Sequence, residues 1–226
     1  MTETPSGSLT TLQRAGLHAA ALHSGGHLPP CVPIADLVGL VARGLADPVP
    51  RQPDGAFTRS PRCLISGRGR EHAAREPHPQ LILVPCSSAK LDLPLAPAWE
   101  MYRGSYHRAA LRAAHALAAG GVGTQILVLS AKFGLLQAED HILHYDLRAG
   151  QRGTVTAGVL RRQAHHLAVS GAEVTVLAGK AYATLAREMW PRLRHPLTGS
   201  RGIGDHLAFF ASLYGPGRQT GPPPGG

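Results

Sequence analysis

Short apolar runs alternate with segments of helical periodicity along residues 80–214. The runs predict strands at 81–85, 124–130 and 173–178, and the periodic segments predict helices at about 97–119, 156–169, 180–189 and 203–213. Each predicted strand is almost continuously apolar, as expected where both faces of a sheet are covered. This order predicts an α/β fold, with a mostly parallel three-layer sheet and right-handed crossovers.

The first 76 residues carry almost no strand pattern. Leucines at helical spacing predict helices over 9–23 and about 34–45, and a third helix begins at Gly67. A short hairpin is predicted before the third helix, with residues 57–59 and 63–65 as its strands. A polar, proline-broken stretch follows. We therefore predict a small domain at 1–76, an α/β domain at 77–214, and a disordered, Pro- and Gly-rich tail at 215–226.

Two short motifs in the first domain resemble a known class. R-G-L-A at 43–46 ends the second predicted helix, and L-I-S-G-R-G-R at 64–70 follows the hairpin. In this order they resemble a small winged helix of the bacterial regulator type. The resemblance implies a winged-helix-like domain whose phosphate contacts come from Arg43, Arg59, Arg62, Arg68 and Arg70. A helical cap with solvated arginines, or a winged helix that docks protein, is the alternative.

The overall charge is strongly positive. Lys and Arg number 23 against 14 Asp and Glu, so the net charge is +9 and the pI is about 10.2. This favours DNA or RNA as a partner, although arginine spread by codon bias gives the same total. The oligomeric state is open.

Cysteine usage and hydropathy indicate the compartment. Three cysteines without C-x-x-C spacing argue against a disulfide framework or zinc ribbon and favour a reducing environment. No apolar run reaches about 18 residues, and the N-terminus lacks the pattern of a signal peptide. We therefore expect a cytoplasmic protein with no membrane partner.

The lysines are few and regularly placed. Only Lys90, Lys132 and Lys180 occur, and each follows one of the three predicted strands. Because the loops at the carboxyl ends of strands form the ligand crevice of an open α/β sheet, these residues predict one lysine-lined pocket. An ammonium there can bind a phosphate-bearing ligand as a point charge, or lose its proton when it is buried. A chance remainder of arginine-biased coding is the alternative.

The loops that carry these lysines supply the candidate chemistry. Lys90 is predicted to be the nucleophile or a phosphate ligand, and Asp146 an acid or base. Cys86 is a second nucleophile if a nearby cation favours its thiolate, and otherwise a small buried hydrophobe. The predicted ligand-binding residues are Ser87, Ser88, Tyr102, Ser130, Lys132, Tyr145, Gly179 and Lys180.

Cofactor and metal motifs are incomplete. Gly179-Lys180 before a helix resembles half of a phosphate-binding loop, but the full G-x-x-x-x-G-K-[ST] is absent. The glycine-rich stretch 196–204 has no preceding strand of the dinucleotide-binding type. His141 and His144, with Asp140, have metal-ligand spacing only on a helix. We therefore expect no cofactor and no metal.

A series of motifs then carries a family resemblance. P-C-S-S-x-K at 85–90, M-Y-R-G at 101–104, L-S-A-K-F-G-L-L at 129–136, Y-D-L at 145–147 and G-K-x-Y at 179–182 look like an uncharacterised bacterial and phage domain family. A more distant similarity is to the archaeosine synthase catalytic domain, whose P-C-x-x-x-K-P-Y lysine attacks a deazaguanine nitrile on transfer RNA. Pro85, Cys86 and Lys90 match that pattern, whereas Leu91-Asp92 replaces its Pro-Tyr pair. That domain is similar in turn to the uracil-DNA glycosylase fold.

These observations predict a nucleic-acid-associated enzyme. It would act on a nucleobase, nucleotide or modified base in the lysine-lined pocket, with the basic first domain contacting DNA or RNA. The alternative is a non-catalytic DNA-binding or ligand-sensing regulatory protein.

Overall fold

A computed structural model describes residues 8–49, 62–121 and 123–214. Its chain divides into two compact units. The first is Met1–Leu81 with Thr156–Glu173, and the second is Ile82–Val155 with Val174–Gly226. The described residues form eight helices and small open sheets, which confirms a mixed α/β fold.

The first unit is mostly helical. Its helices are α1 (Thr11–Leu22), α2 (Ile34–Ala42), α3 (Gly67–Arg75) and α6 (Ala157–His166). The N-terminus of α1 is closed by a capping box, in which the Thr10 side chain accepts from the Gln13 N–H and the Gln13 side chain accepts from the Thr10 N–H. Leu17 and Leu40 lie fully buried in the core of this unit.

A short antiparallel hairpin joins α2 to α3. Its strands are β1 (Ala46–Pro48) and β2 (Cys63–Ile65). The predicted partner of β2, residues 57–59, lies outside the described residues, and β1 was not predicted as a strand. The helix predicted to reach residue 45 ends earlier because Gly44, with a φ of +68°, reverses the chain directly after α2. The chain is therefore extended from β1 onward. A winged-helix arrangement of this unit remains a proposal.

A four-stranded sheet lies in the second unit, apart from the first residues of two of its strands. Its strands are β3 (Gln80–Pro85), β5 (Gln125–Ser130), β6 (Gly134–Leu136) and β8 (Glu173–Val176), in the order β6-β5-β3-β8. The Cys86 N–H donates to the Leu129 carbonyl and the Leu177 N–H to the Leu83 carbonyl. The carboxyl ends of β5, β3 and β8 therefore lie along one edge. Strand β6, which was not predicted, is antiparallel to β5.

The long helix predicted at 97–119 is two helices. They are α4 (Ala98–Met101) and α5 (Ser105–Ala118). Between them the chain pairs with the loop that follows β3, because the Arg103 N–H donates to the Ala89 carbonyl and the Leu91 N–H to the Met101 carbonyl. This pairing interrupts the helix and fixes the loop that carries Lys90.

A two-stranded antiparallel ribbon lies in a region predicted as loop. It consists of β4 (Leu95–Pro97) and β7 (His141–Leu143), and we call it the ribbon. Ala96 and Ile142 on its inner face are buried in the core of the second unit. The remaining helices are α7 (Lys180–Arg187) and α8 (Ile203–Tyr214), and α8 packs on α5 through an edge contact of Phe210 with Tyr106.

Candidate active site

The loop after β3 is held rigidly by its own polar groups. The Ser87 hydroxyl donates to the Ala89 carbonyl at 2.6 Å and accepts from the Gly104 N–H at 2.9 Å. A Cβ at Gly104 would collide with the Ser87 side chain, so glycine is required for this close approach. Ser87 is thus buried and structural, whereas Ser88 is exposed. The backbone of Lys90 forms a bridge with Tyr102, which fixes where its side chain begins.

Two tyrosines and a serine form a buried hydroxyl cluster beside this loop. The Tyr145 hydroxyl lies 3.0 Å from the Tyr102 hydroxyl and 2.9 Å from Ser130 Oγ. Ser130 Oγ also accepts from the N–H groups of Lys132 and Phe133, so it shapes the turn after β5. The cluster positions both rings, and all three residues are buried.

Cys86 contacts Tyr182 of α7. Its Sγ lies 3.0 Å from the Tyr182 hydroxyl, and Cys86 itself is buried. Burial raises the pKa of Tyr102 to about 12 and also raises the pKa of Tyr145 and of Tyr182, with Cys86 adding to the effect. All three phenols therefore keep their protons at neutral pH and can donate hydrogen bonds.

The side chain of Lys90 packs against the Tyr145 ring of this cluster. Its Nζ lies 4.2 Å from the centroid of the Tyr145 ring, a cation–π geometry. Burial lowers the pKa of Lys90, while Cys86 and Asp146 nearby act in the opposite direction. Lys90 is only partly buried, and Asp146 is exposed. The arrangement is an amine that loses its proton more readily than an ordinary lysine, above an aromatic ring and near a thiol and a carboxylate.

The other two lysines have fewer described contacts. Lys132 lies in the turn between β5 and β6, and Lys180 is the first residue of α7 with Gly179 as its N-cap. Both lysine side chains are exposed. Their strands end at the same edge of the sheet as β3, but binding of an anion by these residues stays a prediction.

Sequence reasoning missed His107 on α5. It is buried, and its Nδ1 lies 2.7 Å from the Pro85 carbonyl, so Nδ1 carries the proton and donates. Its Nε2 is buried without a hydrogen-bond partner among the described residues. Burial lowers the pKa of His107, which keeps the ring neutral. The signal was available, because His107 is the one polar residue on an otherwise alanine-rich buried face of α5. Tyr182 was also left out of the predicted site.

A serine–histidine pair elsewhere in this unit resembles a nucleophile and base. Ser200 Oγ lies 2.6 Å from His206 Nε2, and the Tyr106 hydroxyl lies 2.8 Å from Nδ1. However, the Ser200 hydroxyl donates to the Leu197 carbonyl at 2.7 Å, so it accepts from the histidine. Burial raises the pKa of Tyr106 to about 12, which suits a phenol that donates to Nδ1. These contacts tie the loop before α8 to α5 and do not activate Ser200.

The histidines and carboxylates weighed for metal binding do not lie on a helix. His141 is in strand β7 and His144 follows it, and both are exposed. Asp140 Oδ2 accepts from the Gln137 N–H at 2.7 Å and so stabilises the turn before β7. Within the described ranges, no three His, Cys, Asp or Glu side chains are grouped so as to hold a metal ion.

The arginines predicted to bind nucleic acid have different surroundings. Arg70 donates to the Ala21 carbonyl at 3.2 Å and so closes the end of α1. Arg43 is the C-cap residue of α2, and Arg68 is exposed on α3. Arg62 is exposed and lines a cleft, whereas Arg59 lies outside the described residues.

That cleft belongs to the first unit and was not predicted. Its volume is about 650 Å³, and its walls include Leu28 and Val32. Three histidines also line it, and the rings of His23 and His165 stack at 4.3 Å. The cleft has the size of small-molecule sites. It lies in a different unit from Lys90.

The fold and the site together define an α/β domain with a lysine, a thiol and tyrosines at the strand-end edge of its sheet. The chain belongs to the family of unknown function DUF6884, whose model matches residues 81–212. No curated protein and no solved structure matches it. Among the described helices, none is both long and apolar enough to span a membrane.

Proposed function

We propose that the second unit is an enzyme that acts on a nucleobase, a nucleotide or a modified base, with Lys90 as its reacting group. The observation that carries the proposal is the position of the Lys90 ammonium, 4.2 Å above the Tyr145 ring, together with burial that lowers its pKa. A lysine nucleophile must be unprotonated when it reacts, and desolvation beside an aromatic ring increases that fraction.

The chemistry that suits this amine is addition to an electrophilic carbon. The nitrogen lone pair of Lys90 forms the new C–N bond while the carbon–heteroatom π bond of the ligand breaks and its electron pair moves to the heteroatom. Asp146 accepts the proton that the nitrogen releases, and the heteroatom takes a proton from solvent. Tyr182, which is partly buried and protonated, donates a hydrogen bond to the edge of the ligand. A planar heterocycle matches such a site, because its polar edge can be read by fixed donors. Lys132 and Lys180 bind its phosphate if it carries one.

The first unit would bring this site to nucleic acid. Arg62 and Arg68 are exposed and have the long guanidinium side chains that contact phosphates. The net charge of +9 favours a polyanion over a neutral partner. The similarity of Pro85, Cys86 and Lys90 to the archaeosine synthase pattern agrees with a modified base on RNA as the substrate.

The experiment is a ligand screen followed by a comparison of lysine variants. Nucleosides, nucleotides and deazaguanines are screened for thermal stabilisation, and each hit is tested for turnover with DNA or transfer RNA present. Lys90→Arg keeps the positive charge but cannot supply a neutral amine, so it should bind and not turn over. Lys90→Ala should weaken both.

Lys132→Arg is the matched control. Since Lys132 is expected only to attract an anion, an arginine there should retain binding and turnover. Turnover that survives Lys90→Arg would exclude Lys90 as the nucleophile and leave it as an electrostatic ligand.

A ligand-sensing regulatory protein is the second candidate function. The observation that favours it is the cleft of about 650 Å³ in the unit that resembles a regulator domain. Binding without turnover for every hit, with nucleic acid added, would support this function and exclude the enzyme.

A further inference from the structure

The outer face of the ribbon is apolar and exposed. Leu95 and Leu143 are direct cross-strand partners, so their side chains lie together on the face opposite the buried Ala96 and Ile142. Their exposed fractions are 50% and 62%. In a chain whose described residues bury most large apolar side chains, two exposed leucines side by side indicate a surface that is covered by something else.

Two more large, exposed apolar residues lie next to this face along the chain. Leu93 precedes Leu95 by two residues, and Trp99 follows at the start of α4; their exposed fractions are 48% and 57%. The pairing of the two segments reaches beyond the strands, because the Trp99 N–H donates to the Ala138 carbonyl at 3.0 Å and the His144 N–H to the Pro94 carbonyl at 3.0 Å. We call the four residues Leu93, Leu95, Trp99 and Leu143 the ribbon face.

The two segments that carry the ribbon face are acidic, although the whole chain is basic. Residues 91–101 and 136–146 contain no Lys or Arg and five of the 14 acidic residues of the chain. Asp92 and Asp146 lie at the end where Pro94 pairs with His144. The other end, where Trp99 pairs with Ala138, carries Glu100, Glu139 and Asp140. An apolar centre is therefore bracketed by carboxylates in a protein of net charge +9.

This charge pattern indicates which kind of partner can bind the ribbon face. A phosphate backbone would be repelled by carboxylates at both ends, so nucleic acid does not fit here. A second copy of this chain using the same face would set acid against acid, since a two-fold interface brings the same patch onto itself. A segment that carries both cations and apolar side chains complements the face at its centre and at its ends.

We propose that the ribbon face docks a partner protein through a basic, leucine-rich segment. Leu95 and Leu143 are the central anchors, because large apolar side chains at the centre of an interface carry most of its affinity, and Trp99 adds apolar surface at one end. Asp92, Glu100, Glu139 and Asp140 act at the rim, where they guide association and select against acidic partners.

Trp99 provides a built-in reporter for the test. The other tryptophan, Trp190, is buried, so a change in emission on binding reports mainly on Trp99. The probe is a short peptide of alternating arginine and leucine, and the comparison peptides replace arginine with glutamate or leucine with serine. We expect the arginine–leucine peptide alone to bind the full-length protein and shift the Trp99 emission to the blue. We expect Leu143→Ser to weaken it at least tenfold in Kd.

Charge reversal tests the rim separately. Glu139→Lys should weaken the same peptide severalfold and reduce the salt dependence of binding. Leu22→Ser and Glu71→Lys, at exposed positions of the first unit, are the matched controls and should bind like the wild type. Circular dichroism melting of each variant verifies that it is folded.

Three results of the peptide and DNA titrations would overturn the proposal. They are absence of binding by the arginine–leucine peptide, equal binding of the glutamate–leucine peptide, and a blue shift of Trp99 caused by single-stranded DNA. Dimerisation of the protein alone that Leu143→Ser abolishes would also overturn it and assign the face to a second copy.

Discussion

Replacing Tyr145 with Phe removes one hydroxyl from the buried cluster and keeps the aromatic ring. The hydroxyl lies 3.0 Å from that of Tyr102 and 2.9 Å from Ser130 Oγ. A buried hydrogen bond contributes about 1 kcal/mol net, and Ser130 keeps the two backbone N–H groups that it accepts from. We expect the free energy of unfolding of the second unit to fall by about 1–2 kcal/mol, which lowers Tm by about 4–8 °C.

The companion change Tyr145→Leu also removes the ring. It deletes the surface 4.2 Å below Lys90 Nζ and the edge contact with Phe133, whose centroid is 5.1 Å away. We expect it to cost about 2 kcal/mol more than Tyr145→Phe. Denaturant unfolding followed by circular dichroism measures both costs.

Lysine acetylation followed by mass spectrometry gives an independent readout of the site. The pH dependence of labelling at Lys90 should be retained in Tyr145→Phe and altered in Tyr145→Leu, with exposed Lys132 and Lys180 as internal references. A Phe variant as stable as the wild type would refute the bridging role of the hydroxyl. A Leu variant no worse than Phe would refute the packing of Lys90 on the ring.

Three further predictions concern the first unit. Burial and a neighbouring imidazole lower the pKa of His18 below its ordinary 6.5, so the unfolded chain binds the proton more tightly. The contribution of neutral His18 to the free energy of unfolding is therefore fully present above pH 6.5 and is lost as the pH falls below that value. In melting curves at different pH values, His18→Leu should reduce this pH dependence of Tm. Gly69→Ala should lower the free energy of unfolding by about 2 kcal/mol or more, because the new Cβ would collide with the Leu45 carbonyl. Gly67→Ala, which has open space around it, should not lower it, and urea unfolding compares the two variants. Arg68→Gln should weaken binding to duplex DNA and reduce its salt slope by about one in a mobility-shift titration; an unchanged slope would remove this residue from the interface.

Hydrophobic pattern alone was sufficient for the principal strands of the sheet. Strands β3 and β5 and helices α6, α7 and α8 lie within a few residues of their predicted positions, because the strands are continuous apolar runs and the helices carry apolar residues at helical spacing. The missed strands β1, β4, β6 and β7 have three residues each, which is too short for a period to register. The break between α4 and α5 depends on a pairing with residues 89–91, and no local pattern encodes a contact of that kind.

The sequence could predict which segments of the chain carry the candidate site, but not which way their side chains point. Lys90 and Cys86 were chosen from a loop at a strand end, and Tyr102 and Tyr145 from short motifs further along the chain; the structure brings the four together. The structural roles of Ser87 and Ser130 could not be read from the sequence, because a serine that stabilises a turn and one that binds a ligand look alike there. His107 was missed because it lies on a helix away from the loops.

The return of residues 156–173 to the first unit bears on the order in which the chain folds during synthesis. Domains made on the ribosome usually fold from the N-terminus onward as each is completed. Here the first unit lacks α6, with its buried Leu160 and Ala164, until most of the second unit has been translated. The growing chain must therefore hold an unfinished N-terminal core, with apolar surface open to chaperones, for much of its translation.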